Sequence, residues 1–131
     1  MSELKCIVVT PEQTVCEKQA DFVAATLFDG EIGIAPGHTP LIGRLGYGEL
    51  RIRTGDQTER FYIEGGFLEV VNDVASLLTN RAVPAGKLDE QAAERQMEAA
   101  RGQSAKSPEA MTAREQAIAQ GRAQLHVARK V

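Results

Sequence analysis

Few residues of this chain have the types that perform chemistry, and they do not converge. Cys6 and Cys16 are the only thiols, and His38 and His126 the only imidazoles, among 131 residues. A dyad of either cysteine with His38 would make a thiolate nucleophile, but small apolar cysteines on β-strands are the plainer reading. Asp29 and Glu31 flank Gly30. Paired carboxylates serve acid–base catalysis, yet at a turn they more simply solvate it. Gly30-Glu31-Ile32-Gly33-Ile34-Ala35-Pro36-Gly37 is glycine-rich, but it lacks the lysine and glycine order of a phosphate-binding loop. The histidines and cysteines match no zinc-ligand spacing. We therefore assign no catalytic residue and no metal ligand, and an enzyme is disfavoured.

The elements that would carry these residues fall into two units, 1–85 and 86–131. All six aromatics (Phe22, Phe28, Tyr47, Phe61, Tyr62 and Phe67) precede residue 85, whereas Ala, Gln, Glu and Arg dominate from 86 onward. Residues 1–85 carry 7 basic and 12 acidic side chains, and residues 86–131 carry 8 and 6, so the sign of the charge reverses between them. That reversal suggests structural units with different partners. The overall charge of −3 argues against a general nucleic-acid binder. No apolar run approaches the 18 residues that would span a bilayer. Met1-Ser2-Glu3-Leu4-Lys5 lacks the pattern of a secretory leader.

The first unit reads as β. Leu4, Cys6 and Val8 alternate with Lys5, Ile7 and Val9; Leu50 and Ile52 alternate with Glu49, Arg51 and Arg53; Phe61 and Ile63 alternate with Arg60, Tyr62 and Glu64. Period two is the strand signature. Val74–Thr79 is a further apolar run, and Asn72-Asp73 before it suits a two-residue hairpin loop. Turn signals at Thr10-Pro11, Asp29-Gly30, Pro36-Gly37, Gly46-Tyr47-Gly48, Gly55-Asp56 and Gly65-Gly66 separate short strands, as in a sandwich or barrel. Nothing helical lies between them, which disfavours a parallel βαβ sheet.

The second unit reads as two helices. Leu88–Arg101 contains no Pro or Gly, is acidic at its start and basic at its end, and stops at Gly102. Ser107-Pro108 opens a second helix with a cap and a first-turn proline, running to about Lys130. Ala110, Ala113, Ala117, Gly121 and Ala128 form a small-residue stripe beside a basic one containing Arg114, Arg122 and Arg129. Small residues let helix backbones approach closely, so an antiparallel hairpin is expected. Alanine methyls bury little area, at about 0.8 kcal/mol per buried carbon, so the hairpin should be weakly held and mobile.

The stretch Asp29-Gly30-Glu31-Ile32-Gly33-Ile34-Ala35-Pro36-Gly37-His38-Thr39-Pro40-Leu41 resembles the D-G-E-x-G-I-x-P-G-H-x-P-L signature of the epsilon-subunit family of F-type ATP synthases. Val9-Thr10-Pro11-Glu12, Gly65-Gly66-Phe67-Leu68-Glu69-Val70 and the Leu88-Asp89 helix start are similar to that family as well. The resemblance implies an α+β fold: an antiparallel β-sandwich of about ten strands, followed by an antiparallel two-helix hairpin. It implies a non-catalytic central-stalk role, with the sandwich (1–85) docked on the gamma subunit and the c-ring. The hairpin (86–131) would be regulatory, inhibiting ATP hydrolysis when it extends toward the alpha and beta subunits. It also implies a peripheral place on the cytoplasmic face of the bacterial plasma membrane, with membrane association only through the complex.

Residue by residue, the resemblance places Glu31, Gly33 and His38 in a loop facing the c-ring and gamma. Turn geometry alone also accounts for Gly33, and local hydrogen bonding for His38. Arg114, Arg122 and Arg129 would form a regulatory basic stripe pairing with a beta subunit; a solvated face is the alternative. Some members bind ATP through [I/L]-D-x-x-R-A. Here Leu88-Asp89-Glu90-Gln91-Ala92-Ala93 puts Ala92 where the arginine belongs. Asp89 and Arg95, one turn on, are what remains of a nucleotide site, so weak or no ATP binding is expected and no cofactor is implied. The competing reading is a free-standing β-sandwich binding module with a helical oligomerisation tail. The shortage of aromatics for a stacked ligand disfavours it.

Overall fold

The computed structural model describes residues 3–130. Met1, Ser2 and Val131, at the ends of the two expected units, lie outside the described residues. Nine strands come first: β1 (Leu4–Val9), β2 (Thr14–Ala20), β3 (Phe22–Leu27), β4 (Gly30–Ile34), β5 (Leu41–Thr54), β6 (Gln57–Glu64), β7 (Phe67–Val71), β8 (Val74–Leu78) and β9 (Ala82–Pro84). A 3-10 turn at Ala85–Lys87 leads to α1 (Glu90–Arg101) and α2 (Pro108–Arg129).

The strands form two layers that share β5. Its first residues, Leu41–Arg44, pair with β7 in the layer ordered β2-β1-β8-β7-β5. Tyr47–Thr54 pair with β6, and Leu45 and Leu50–Arg53 with β3, in the layer that also holds β4 and β9. Counting β5 once in each layer reconciles nine strands with the expected ten. Gly46-Tyr47-Gly48, expected as a turn, lies within β5 at the transfer between layers: a Cβ on Gly46 would lie 2.9 Å from the Leu27 carbonyl oxygen, too close for any side chain.

The alternation is in phase with the core. Leu4, Cys6, Val8, Leu50, Ile52, Phe61, Ile63, Leu68, Val70 and Leu77 are buried between the layers. The β7–β8 loop is the predicted two-residue hairpin, with φ of 50° at Asn72 and 61° at Asp73, as a type I′ turn demands. One pairing departs from expectation: β1 and β8 run parallel. A parallel pair needs a long return connection, and here the strands of the other layer supply it instead of a crossover helix.

Both helices begin at side-chain caps. Asp89 accepts from the Ala92 amide at 3.0 Å, so α1 starts at Glu90 and not at Leu88. Ser107 accepts from the Ala110 amide at 3.1 Å. The helices meet through Ala93, Met97 and Ala100 on α1 and Gly121 on α2; a Cβ on Gly121 would fall 2.4 Å from the Met97 Cγ. Gln96 adds a bond to the Ala117 carbonyl at 2.9 Å. The contact stripe is narrower than expected, since Ala113 faces solvent.

Candidate functional site

The outer face of the β3–β6 layer is where the chain gathers its charge. Strand register puts Glu49 opposite Tyr62, Arg51 opposite Arg60, and Tyr47 opposite Glu64, all pointing away from the core. α2 lies over this face and buries Gln124 and Val127 against it. Glu49 is the centre, with its side chain only 6 % exposed. Its carboxylate accepts from Arg51 Nη1 at 2.8 Å, Arg60 Nε at 2.5 Å and Lys130 Nζ at 2.8 Å. Burial alone would push its pKa up. The three bonds, Lys130 foremost, outweigh burial and hold the carboxyl at about 2. Arg60 reaches on to α2, donating to the Val127 carbonyl at 2.8 Å. Free carbonyls at a helix C-terminus attract such a cation. Tyr62 is fully buried beneath α2 and donates to Glu64 at 3.0 Å. Burial, then the Glu64 charge, raises its phenol pKa.

The other layer shows the opposite character. On its outer face Phe67 stands between Arg44 and Leu78, with Ile42 on the same strand as Arg44. Ile42 is 76 % exposed, Phe67 59 % and Leu78 55 %. Phe28 adjoins this face, its ring under the Arg44 guanidinium at 4.7 Å. None of the described helices covers these residues.

The residues singled out from the sequence are dispersed. Glu31 and Gly33 lie within β4, not in a loop; the loop proper is 35–40. Glu31 pairs with Arg51 at 3.0 Å and so joins the margin of the Glu49 network. Gly33 lies against the Phe22 ring, where a Cβ would be 2.7 Å from Cζ. His38 Nδ1 lies 2.7 Å from the Thr39 carbonyl oxygen, and its loop is anchored where the Gly37 amide donates to Asp73 at 2.7 Å. Arg114, Arg122 and Arg129 do not act as one stripe. Arg129 binds Glu90 and Glu94 of α1, at 2.7 and 2.6 Å. Arg114 is half-buried near the Arg101 carbonyl, whereas Arg122 borders a cleft of about 1050 Å³ between α2 and the strands. Asp89 is occupied as a cap and Arg95 projects into solvent, so the two do not form a site.

Sequence reasoning missed Glu49, Arg60, Tyr62 and Lys130. Glu49, Arg60 and Tyr62 showed only as positions alternating with core residues, which any solvated face would show, and Lys130 only as the end of a helix. The thiols offer no nucleophile: burial pushes Cys6 up to about 12 and also raises Cys16. Among the described residues, no group of three or more His, Cys, Asp or Glu is placed to hold a metal ion. None of the described helices is long and apolar enough to cross a membrane.

The family model for the beta-sandwich domain of the ATP synthase delta/epsilon chain matches residues 3–85. The chain belongs to that family. An ATP synthase epsilon chain from Rhodopirellula baltica is 42 % identical over 126 residues, spanning 96 % of this chain and 98 % of the relative. The delta/epsilon fold recurs in a chain of the Euglena gracilis mitochondrial ATP synthase OSCP/F1/c-ring structure. That match has a TM-score of 0.85 at 20 % identity and covers 98 % of this chain and 82 % of the other. A chain of the Tetrahymena thermophila mitochondrial ATP synthase central stalk/c-ring structure matches with a TM-score of 0.74 at 14 % identity, covering 95 % and 96 %. The family match over residues 3–85, with an epsilon-chain relative spanning 96 % of this chain, favours a subunit of an assembly over a free-standing module.

Proposed function

We propose that this chain is a non-catalytic central-stalk subunit of an F-type ATP synthase, coupling ion-driven rotation of the c-ring to ATP synthesis. The observation that carries the reading is the uncovered face of Ile42, Phe67 and Leu78 on a chain of the delta/epsilon family. An apolar sheet face of this kind marks a protein contact, and we assign it to the gamma subunit. The loop 35–40 with His38, and Glu31 and Gly33 on the strand before it, would meet the c-ring. Residues 1–85 form the docking unit and 86–131 the regulatory one. When the hairpin leaves the sheet, Arg114, Arg122 and Arg129 become available to the alpha and beta subunits, and ATP hydrolysis is restrained. The chain then sits peripherally on the cytoplasmic face of the bacterial plasma membrane, held there by the complex.

Affinity purification of the tagged chain tests the first part: gamma and c-ring subunits should come with it. Comparing the assembled enzyme with and without residues 86–131 tests the second. Removal should raise ATP hydrolysis. Capture of neither gamma nor c-ring subunits would falsify the docking assignment, and equal hydrolysis would remove the regulatory one.

A further inference from the structure

Arg129 and Lys130 are neighbours in sequence, but they fasten the end of α2 to different bodies. Arg129 binds Glu90 and Glu94 on α1, so its bonds travel with the hairpin. Lys130 binds Glu49 on β5, and Arg60 on β6 holds the Val127 carbonyl at 2.8 Å and the Lys130 carbonyl at 3.3 Å. These last bonds must break if α2 is to leave the sheet.

The sheet beneath is built to survive that break. Arg51 keeps Glu31 at 3.0 Å, Arg60 keeps Glu49 at 2.5 Å, and Arg81 keeps Glu64 at 3.6 Å. No charge there is stranded when α2 departs, which is the usual penalty for opening a buried ionic contact. The rest of the α2 contact centres on Tyr62 and Val127, both fully buried, and on Gln124. The Gln124 Nε2 is buried without a partner and regains one from water on release. Beside it a cleft of about 1050 Å³ runs between the Gln116, Ala119 and Ala123 side of α2 and the strands.

We propose that Glu49, Arg60 and Lys130 form a clasp that sets how readily the hairpin leaves the sheet: Glu49 and Arg60 stay with the sandwich, and Lys130 is the catch that departs with α2. This rests on the reading of the hairpin as a releasable regulatory element. The clasp locates the control at the last residues of α2, not along the arginine stripe.

The test uses the isolated full-length chain, with spin labels on Asp56→Cys and Met111→Cys in a Cys16→Ser background, and reads the fraction of molecules at the longer interlabel distance. Lys130→Ala should raise that fraction about three- to five-fold, the upper range for a half-exposed ion pair. Glu49→Gln should raise it at least as much. The double variant should add little beyond the larger single effect, because both remove the same bond. Arg129→Ala should leave the fraction unchanged. Glu49 is buried and its variant can loosen the sandwich itself, so Lys130→Ala at the exposed helix end decides. An unchanged fraction in Lys130→Ala overturns the clasp, as does simple additivity of the two effects. If the variants open the hairpin while hydrolysis by the assembled synthase is unaltered, the clasp stands and the inhibitory reading falls. If the distances do not move although removing 86–131 relieves inhibition, the inhibitory reading stands and the clasp falls.

Discussion

The two outer faces of the sandwich are made from the same strand, β5, yet they treat water in opposite ways. Around Ile42, Phe67 and Leu78, apolar side chains stand open between Arg44 and Glu69. Covering them gains about 25 cal/mol for each Å² removed from water, and uncovering them loses as much. Around Glu49, Arg51, Arg60 and Glu64, each charge has a partner on the sheet itself, and α2 adds a few polar bonds and the burial of Tyr62 and Val127. Uncovering that face exposes Tyr62 and Val127 but leaves no charge of the sheet without a partner. An apolar face suits a partner that stays. A face whose charges are already paired suits a cover that comes and goes.

The largest effect that would break this contrast belongs to the apolar face. Phe67→Asp should fold normally, since surface changes usually stay within about 0.5 kcal/mol. Its affinity for an isolated gamma subunit should fall about 30-fold or more, as for loss of a central aromatic anchor. Titration calorimetry with gamma, alongside a thermal melt of the variant alone, reads both. Unchanged affinity would mean that the exposed face is not the permanent contact.

The contrast was only half legible in the sequence, for reasons that individual residues show. The phase of Leu4-Cys6-Val8 and Phe61-Ile63 was readable because a buried face imposes period two, and Asn72-Asp73 because few residue pairs tolerate φ above zero twice in succession. β2 escaped because Thr14, Glu17, Lys18 and Gln19 give an edge strand little apolar signal. β3 escaped because Val23, Ala24 and Ala25 are all buried and show no alternation. Glu49 and Tyr62 looked like solvated positions; what buries them is a helix more than forty residues away, which no local pattern announces. The same distance hid Lys130. By contrast, Ser107 was placed correctly as a cap because capping is a local act, whereas Asp89, expected inside the first turn, is itself the cap. The family motif located the 29–41 segment but put Glu31 in a loop, where the backbone has a strand.

The covered face makes a second, intermediate prediction through acid. The Glu49 carboxyl has its pKa lowered from 4.5 to about 2. A lowered folded-state value means that the unfolded chain takes up the proton first as pH falls. The stabilisation is therefore complete above about pH 4.5 and is lost between there and about pH 2. Its size is about 3 kcal/mol, from 1.36 kcal/mol per unit of displacement. Urea unfolding at a series of pH values should show that loss in the native chain and lack it in Glu49→Gln. Parallel curves for the two would mean that Glu49 is solvated and that the charged face is no network at all.

Glu31 should give the smallest effect on the fold and so separates structure from function most cleanly. Its carboxylate meets Arg51 at 3.0 Å with more than half of its side chain in water, and such pairs contribute about 0–1 kcal/mol. Arg51 retains Glu49 when Glu31 is neutralised, so no buried charge is orphaned. Glu31→Gln should therefore leave the urea midpoint almost where it was, and the hairpin–sheet distance with it. If the carboxylate does meet the c-ring, the charge itself is what matters there. Reconstituted vesicles carrying Glu31→Gln, or more severely Glu31→Arg, should then pump protons less well per ATP hydrolysed. Full pumping with Glu31→Arg would return the residue to the sheet margin as a local partner of Arg51. The ring contact would then pass to His38 and the loop 35–40, which the Asp73 anchor holds at the far side of β4.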